Sequence, residues 1–503
     1  MLHARYIDNP LSGHNNMTRQ HPNILIIISD EHRKDAMGCA GHPIVKTPHL
    51  DGLAARGTCF TNAYTPSPMC VPTRASIATG QYIHTIGNWD SASPYDGTAR
   101  SWMHHLREHG IYTASIGKLH FRSAEDDNGF CEEILPMHVV GGVGWPVGLL
   151  RSSPPAYDAA AELAADVGVG TSSYTEYDLQ ITKAAEDWLK DDARTKAPWA
   201  SFISFVSPHY PLTCPEDYAR LYDPEDMDMP IGFDNKAEPA HAELRNIRRF
   251  FDYDAYFDQQ TAKQAKAAYY GLTSFMDNCV GRVLQALETS GQADNTLVIY
   301  ISDHGEMLGD QGYWTKQVMY EQSAAVPMIL AGPDIPKGHM VNSGVSLIDI
   351  AATVIDVTGT SDSAFGASLH GVSLQKLASL PDDMGRTILS EYHDGGSTTG
   401  TFMIRWQHWK YIYYVGHVPQ LFDLGADPDE LDDLAISAPD RPDVKNALDE
   451  GERRLRTVCD PEEVNQKCFA DQTAKIEQLG GEDACLNAFC FNHTPTPAEQ
   501  KNL

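Results

Sequence analysis

Apolar residues gather in short runs, separated by longer segments in which they recur every three or four positions. The runs 24–28, 112–116, 199–206, 297–301 and 326–331 are rich in β-branched and aromatic side chains and predict strands. Between them, 48–56 predicts a helix. Pro48 suits the first helical position, Thr47 stands where an N-cap belongs, and Gly57 follows the last turn. Segment 262–289 carries Leu272, Phe275, Met276, Cys279, Val283 and Leu287 at helical spacing and stops at Gly291. This alternation predicts an α/β fold whose large, mainly parallel sheet is sandwiched by helices.

Two segments break the pattern. Residues 141–175 are rich in Gly, Pro, Ala and Ser, and 222–260 mix acids with aromatics. Both are expected to lie over the top of the sheet, where lids and substrate loops are found. After about residue 375 the character changes again. Runs 402–406 and 410–414 predict two antiparallel strands, an acidic turn spans 423–433, and the chain from Pro439 is helical and polar. The expected division is a main domain over 1–375 and a smaller C-terminal α+β subdomain over 376–503. The helical tail packs either on the main domain or on a second copy, and a homodimer or homotetramer is expected.

Composition narrows the function. The 503 residues carry a formal charge of −30, which argues against nucleic acid as a partner. An anionic substrate would need cations gathered locally. The first 22 residues hold no apolar stretch of signal-peptide or anchor length, and 24–28 is far too short to span a bilayer. A cytoplasmic protein without a membrane partner is expected, with Met17 as an alternative start. Ten cysteines are scattered with no CxxC pair, so zinc ribbons and thioredoxin-like chemistry are unsupported. Most should be small, inert thiols; Cys70 is the exception.

Two predicted strands finish in the same dipeptide, Ser29-Asp30 and Ser302-Asp303, followed by Glu31 and His304. Ligands of open α/β sheets bind beyond the carboxyl ends of the strands. Two carboxylates delivered there cannot both stay ionised without a cation. A hard divalent metal with oxygen ligands and one imidazole meets that need. Two helix N-caps are the alternative reading of the same residues.

The segment Cys70-Val71-Pro72-Thr73-Arg74, running on to Thr79-Gly80, resembles the signature of the sulfatases of the alkaline phosphatase superfamily. That signature is Cys-x-Pro-Ser-Arg with a later Thr-Gly; Thr73 replaces Ser and keeps the hydroxyl. Further motifs follow in the family's order. Residues 23–30 resemble its opening strand, and Thr47-Pro48-His49-Leu50-Asp51 its first helix. Gly117-Lys118-Leu119-His120 and Pro208-His209-Tyr210-Pro211 are similar to its Gly-Lys-x-His and Pro-His-x-Pro. Asp303-His304-Gly305-Glu306 with Lys316 resembles its second metal strand and lysine. Leu421-Phe422-Asp423-Leu424 and Asp427-Pro428-Asp429-Glu430 resemble its C-terminal subdomain.

The resemblance implies hydrolysis of sulfate monoesters. A maturation enzyme would oxidise Cys70 to formylglycine, whose hydrate attacks sulfur with one hydroxyl and expels sulfate with the other. Asp30, Asp303, His304 and the modified Cys70 would hold one divalent cation, Ca2+ before Mn2+ or Mg2+. Glu31 would either join them or support them from outside. Arg74 would brace the diol, and Lys118 and Lys316 would neutralise sulfate oxygens. His209 and Lys316 are the candidates to protonate the leaving oxygen, and His120 to drive sulfate release. Asn88 is a further candidate sulfate contact.

The organic group stays open. Asp303-His304 and the polar tail are similar to choline sulfatases and phosphonate monoester hydrolases. Phe250, Phe251, Tyr253, Tyr256 and Phe257 either line a pocket, for an aryl ring or a quaternary ammonium, or simply pack a lid. Three readings follow: an arylsulfatase-like hydrolase with side activity on phosphate or phosphonate esters, a dedicated choline sulfatase or phosphonate monoester hydrolase, or an inactive binding relative.

Overall fold

In a computed structural model, described over residues 21–157, 159–233, 239–360, 363–488 and 493–501, the apolar run at the start of the chain is a central strand. Met17 and Cys490 lie outside the described residues. Ile24, Ile26 and Ile28 point into one core, while Leu25 and Ile27 point into another. Both faces of this strand, Asn23–Asp30, are therefore covered, which is why it contains no polar alternation.

The sheet has eight strands. Their spatial order is His339–Ser346, Thr58–Tyr64, Met328–Ala331, Thr296–Ser302, Asn23–Asp30, Trp199–Pro208, Tyr112–Lys118 and Glu132–Met137. Only Met328–Ala331 runs antiparallel to its neighbours, so the expectation of a mainly parallel sheet holds. Pro48–Ala55, Ser173–Lys190 and Gln259–Thr289 cover the face of Leu25 and Ile27. Cys70–Thr79, Trp102–Glu108, Asp349–Thr358 and Leu374–Ser379 cover the other.

Two helix starts differ from expectation. Thr47 makes no capping hydrogen bond. Its hydroxyl accepts from Gly38 N–H and donates to Asp51, while Asp277 of the long helix accepts the N–H groups of His49 and Leu50. A cap supplied from elsewhere in the fold leaves no local signal. The long helix itself begins at Gln259, because Asp258 accepts the N–H of Thr261 at 2.8 Å.

Ile388–Tyr392, Thr401–Trp406, Trp409–Tyr414 and Gln420–Asp423 form the antiparallel sheet of the C-terminal subdomain. Buried polar contacts fix it to the main sheet. Arg405 donates to the Tyr64 hydroxyl at 3.0 Å, and Lys410 pairs with Glu430 at 2.7 Å and Glu321 at 2.9 Å. The tail helix Pro461–Gln478 packs on the main domain, where Gln472 donates to Asp90 at 2.7 Å. Among the described residues no helix is long and apolar enough to cross a membrane.

One glycine links the sheet to what lies at its end. Gly117 has φ 102°, and a β-carbon there would stand 2.2 Å from the Ser204 carbonyl oxygen. Gly117→Ala combines backbone strain with a clash that rigid strands cannot relieve. It should cost on the order of 3 kcal/mol, read as a lower urea midpoint; an unchanged midpoint would contradict the packing described.

Candidate active site

Four adjacent parallel strands end at one place. Thr296–Ser302, Asn23–Asp30, Trp199–Pro208 and Tyr112–Lys118 bring Asp303, Asp30, His209 and Lys118 together beyond their carboxyl ends. The helix Cys70–Thr79, buried along its whole length, starts at the same point. Arg74 follows Cys70 by four residues and so lies on its face of the helix.

Arg74 is the fixed centre of the arrangement. Its Nη2 lies 3.0 Å from Asp30 and its Nε 2.9 Å from Asp303, and Nη1 donates to the Lys118 carbonyl and the Ser204 hydroxyl. One planar guanidinium thus holds both strand-end carboxylates. Lys118 adds a second cation at 2.6 Å from Asp30. Burial opposes ionisation of Asp30, but Lys118, with Arg74 beside it, outweighs that and holds the carboxyl well below its usual range.

Asp30, Cys70, Asp303 and His304 each present one donor atom, all within 4.8 Å of one another and all buried. The His304 Nδ1 lies 2.9 Å from the Gly305 carbonyl. A carbonyl only accepts, so Nδ1 carries the proton and Nε2 turns its lone pair into the cluster. That Nε2 is 3.0 Å from Cys70 Sγ and 3.7 Å from Asp303. Burial, with Asp30 next to it, pushes the Cys70 thiol up, away from the thiolate that a cysteine nucleophile requires.

Glu31 turns the other way. Its carboxylate is 3.2 Å from His209 Nε2 and 3.3 Å from Lys316, and burial raises it well above its usual value despite that lysine. Lys316 also donates to His209 Nε2 at 2.9 Å, while His209 Nδ1 faces the Tyr210 carbonyl. His209 is therefore neutral and accepting, as burial and Lys316 both favour. Glu31 at φ 66°, His120 at φ 53°, Thr315 at φ 61° and Gln317 at φ 83° sit in the left-handed region, so strained residues border the site.

His120 is buried, yet neither ring nitrogen has a hydrogen-bond partner among the described residues. Burial first, then Lys118 and Arg74, hold it well below the ordinary imidazole value. An unmet imidazole facing a cavity calls for a ligand. That cavity, of about 130 Å³, is lined by Cys70, Lys118, His120, His209 and Lys316. Asn88 is the one sequence candidate placed in neither this cavity nor the adjoining cluster of Asp30, Glu31, Arg74, Asp303 and His304. Its amide donates to the Ser93 carbonyl at 2.9 Å, and it borders a different cavity with Arg100 and Arg122.

The rest of the pocket mixes aliphatic residues such as Met69, Val139 and Leu163 with aromatic ones. Phe251 and Tyr253 line it, as the sequence allowed; Phe250 and Phe257 are buried outside the lining and Tyr256 is partly exposed. Trp145, Tyr157 and Tyr210 also line it and were not singled out. The signal available for the first two was aromatic residues within the Gly- and Pro-rich segment 141–175. Phe250 stacks on Tyr157 and edge-on to Trp145, which ties both irregular segments into one lid.

Removal of the central guanidinium leaves two buried carboxylates unpaired. Arg74→Ala should cost on the order of 3–5 kcal/mol, seen as a loss of the urea midpoint. Stability equal to the parent would show that the carboxylates do not depend on it.

Comparison with known proteins agrees with this geometry. The sulfatase family model matches residues 22–360, and the C-terminal model of N-sulphoglucosamine sulphohydrolase matches 309–457. A choline-sulfatase of Rhizobium meliloti (strain 1021) is 32% identical over 436 residues, 83% of each chain. Human arylsulfatase K is 30% identical over 446 residues, 83% of this chain and 80% of that one. The phosphonate monoester hydrolase of Agrobacterium radiobacter shares the fold, with a TM-score of 0.70 at 23% identity over 87% of this chain and 96% of that one. With a family match over most of its length and the strand-end cluster in place, the chain belongs to the sulfatase family, whose members are sulfuric ester hydrolases.

Proposed function

We propose that the protein hydrolyses sulfate monoesters of small alcohols or phenols at the Cys70 site, with residue 70 converted to formylglycine by a maturation enzyme. The observation that carries this reading is the position of Cys70 Sγ inside the buried cluster of Asp30, Asp303 and His304. The donor set fits one hard divalent cation: two carboxylates, one inward lone pair on imidazole, and the side chain at position 70. Ca2+ suits the oxygen-rich set best, with Mn2+ and Mg2+ as alternatives. When present, the cation supplies positive charge for anionic oxygens, and the hydrated aldehyde supplies the nucleophilic oxygen.

The chain's own residues do the rest. Lys118 and Lys316 neutralise the sulfate oxygens, a local positive patch within an acidic protein. Lys316 and His209 share a proton across their 2.9 Å contact and deliver it to the leaving oxygen. His120, neutral and with both nitrogens unmet, takes a proton as sulfate departs. Arg74 acts through Asp30 and Asp303, holding their geometry, in place of the direct contact with residue 70 expected from the sequence. Asn88 has no role in this scheme.

A second reading, choline sulfate as substrate, is favoured by the aromatic lining, since aromatic faces attract quaternary ammonium groups. Relative kcat/KM on nitrophenyl sulfate, choline sulfate and a phenyl phosphonate ester separates the two readings and measures any phosphonate activity.

Mass spectrometry of the peptide around Cys70, from a host with the maturation enzyme, should show a loss of about 18 Da. An intact thiol in such protein would favour an inactive binding relative. Cys70→Ala should keep the parent's thermal midpoint and lose on the order of 10⁴-fold or more in kcat/KM; near-parental turnover in that variant would refute the assignment.

A further inference from the structure

The catalytic pocket has a wall that comes from the far end of the chain. His493 and Thr494 line it beside Lys118, His120, His209 and Lys316. The segment is built into place at both ends. The His493 ring stands edge-on to Tyr174, with centroids 4.9 Å apart, and the Tyr174 hydroxyl donates to the Thr494 carbonyl at 2.8 Å. Beyond it, Thr496 and Glu499 form a capping box on the short helix Pro497–Gln500. The Gln500 amide then donates to the Pro495 carbonyl at 2.8 Å and the His138 carbonyl at 3.2 Å. Val139 and Val140, next along the chain from His138, line the same pocket.

The position of this wall relative to the chemistry is informative. Tyr174 is buried, and its other ring neighbour is His209, at 5.8 Å. His209, Tyr174 and His493 therefore follow one another along one side, starting from the group placed to protonate the leaving oxygen. The sulfate end is occupied by Lys118 and Lys316, so this side meets the organic part of the ester. Burial lowers His493 below its ordinary value. A neutral imidazole both donates and accepts one hydrogen bond and packs on a ring. The cavity of about 130 Å³ is close to one of roughly 150 Å³ that holds a single benzene ring.

We propose that residues 493–501 form a fixed wall of the substrate pocket, and that His493 contacts the organic group and sets the size of alcohol accepted. This rests on the sulfate ester hydrolysis proposed above. The test is the ratio of kcat/KM for one-ring 4-nitrophenyl sulfate to that for two-ring 4-methylumbelliferyl sulfate. His493→Ala should shift the ratio about tenfold toward the larger ester, mainly through KM, while inhibition by inorganic sulfate stays as in the parent. Gln500→Ala, which loosens the anchor without touching the pocket, should shift it in the same direction. A ratio unchanged in both variants would overturn the proposal, as would an equal loss on both esters. Calorimetric binding of the two esters to metal-loaded Cys70→Ala, with and without His493→Ala, reads the same preference without turnover. A protein that hydrolyses neither ester would defeat the proposed function, and the binding ratio would still decide the role of the wall.

Discussion

The molecule is organised around a like-charge problem. Asp30 and Asp303 end neighbouring strands with both side chains fully buried, where two uncompensated carboxylates would cost more than the fold's whole stability. Arg74 offsets part of that cost by binding both at once, and on the Asp30 side Lys118 contributes more than Arg74. The remaining oxygens, the inward Nε2 of His304 and the side chain at position 70 are left converging on one point. Structure and chemistry share this interaction, because the cations that make the cluster stable also keep the Asp30 carboxylate ionised.

Around that point the parallel sheet supplies direction. Its central strands are covered on both faces, so their ends are rigid, and most functional groups follow strand ends or sit on the helix Cys70–Thr79, with Lys316 supplied by the loop beyond Thr296–Ser302. Glu31 and His120 leave their strands in left-handed conformations, and Thr315 and Gln317, on either side of Lys316, share that region. Glu31 is thereby directed to Lys316 and His209; it forms a possible ligand group with Asp30 and His209, beside the group of Asp30, Cys70, Asp303 and His304. On the proposals above, specificity lies with softer parts: the two irregular segments and residues 493–501.

The sequence made legible what periodicity and motif order encode. The covered central strand reads as a pure apolar run over 24–28, and Ser-Asp at two strand ends already pointed to either a cation site or two helix N-caps. Strands His339–Ser346 and Glu132–Met137 were not legible, because edge strands with half-exposed faces interrupt their apolar runs with polar residues. The cap that Asp277 gives to Pro48–Ala55 and the grip of Arg74 on two distant carboxylates are tertiary, without local signature. Asn88 shows the reverse case: a polar residue near the signature segment whose amide satisfies its own loop. His493 carried no signal at all, since nothing in a polar tail indicates which residue reaches a pocket.

The convergence of residues 30, 303, 304 and 70 on one cation is tested most directly by elemental analysis of the purified, dialysed protein. The account predicts close to one equivalent of a single divalent metal per chain, and its loss from Asp303→Asn protein that remains folded. Folded parent protein without stoichiometric metal, or an Asp303→Asn variant that retains it undiminished, would contradict the account.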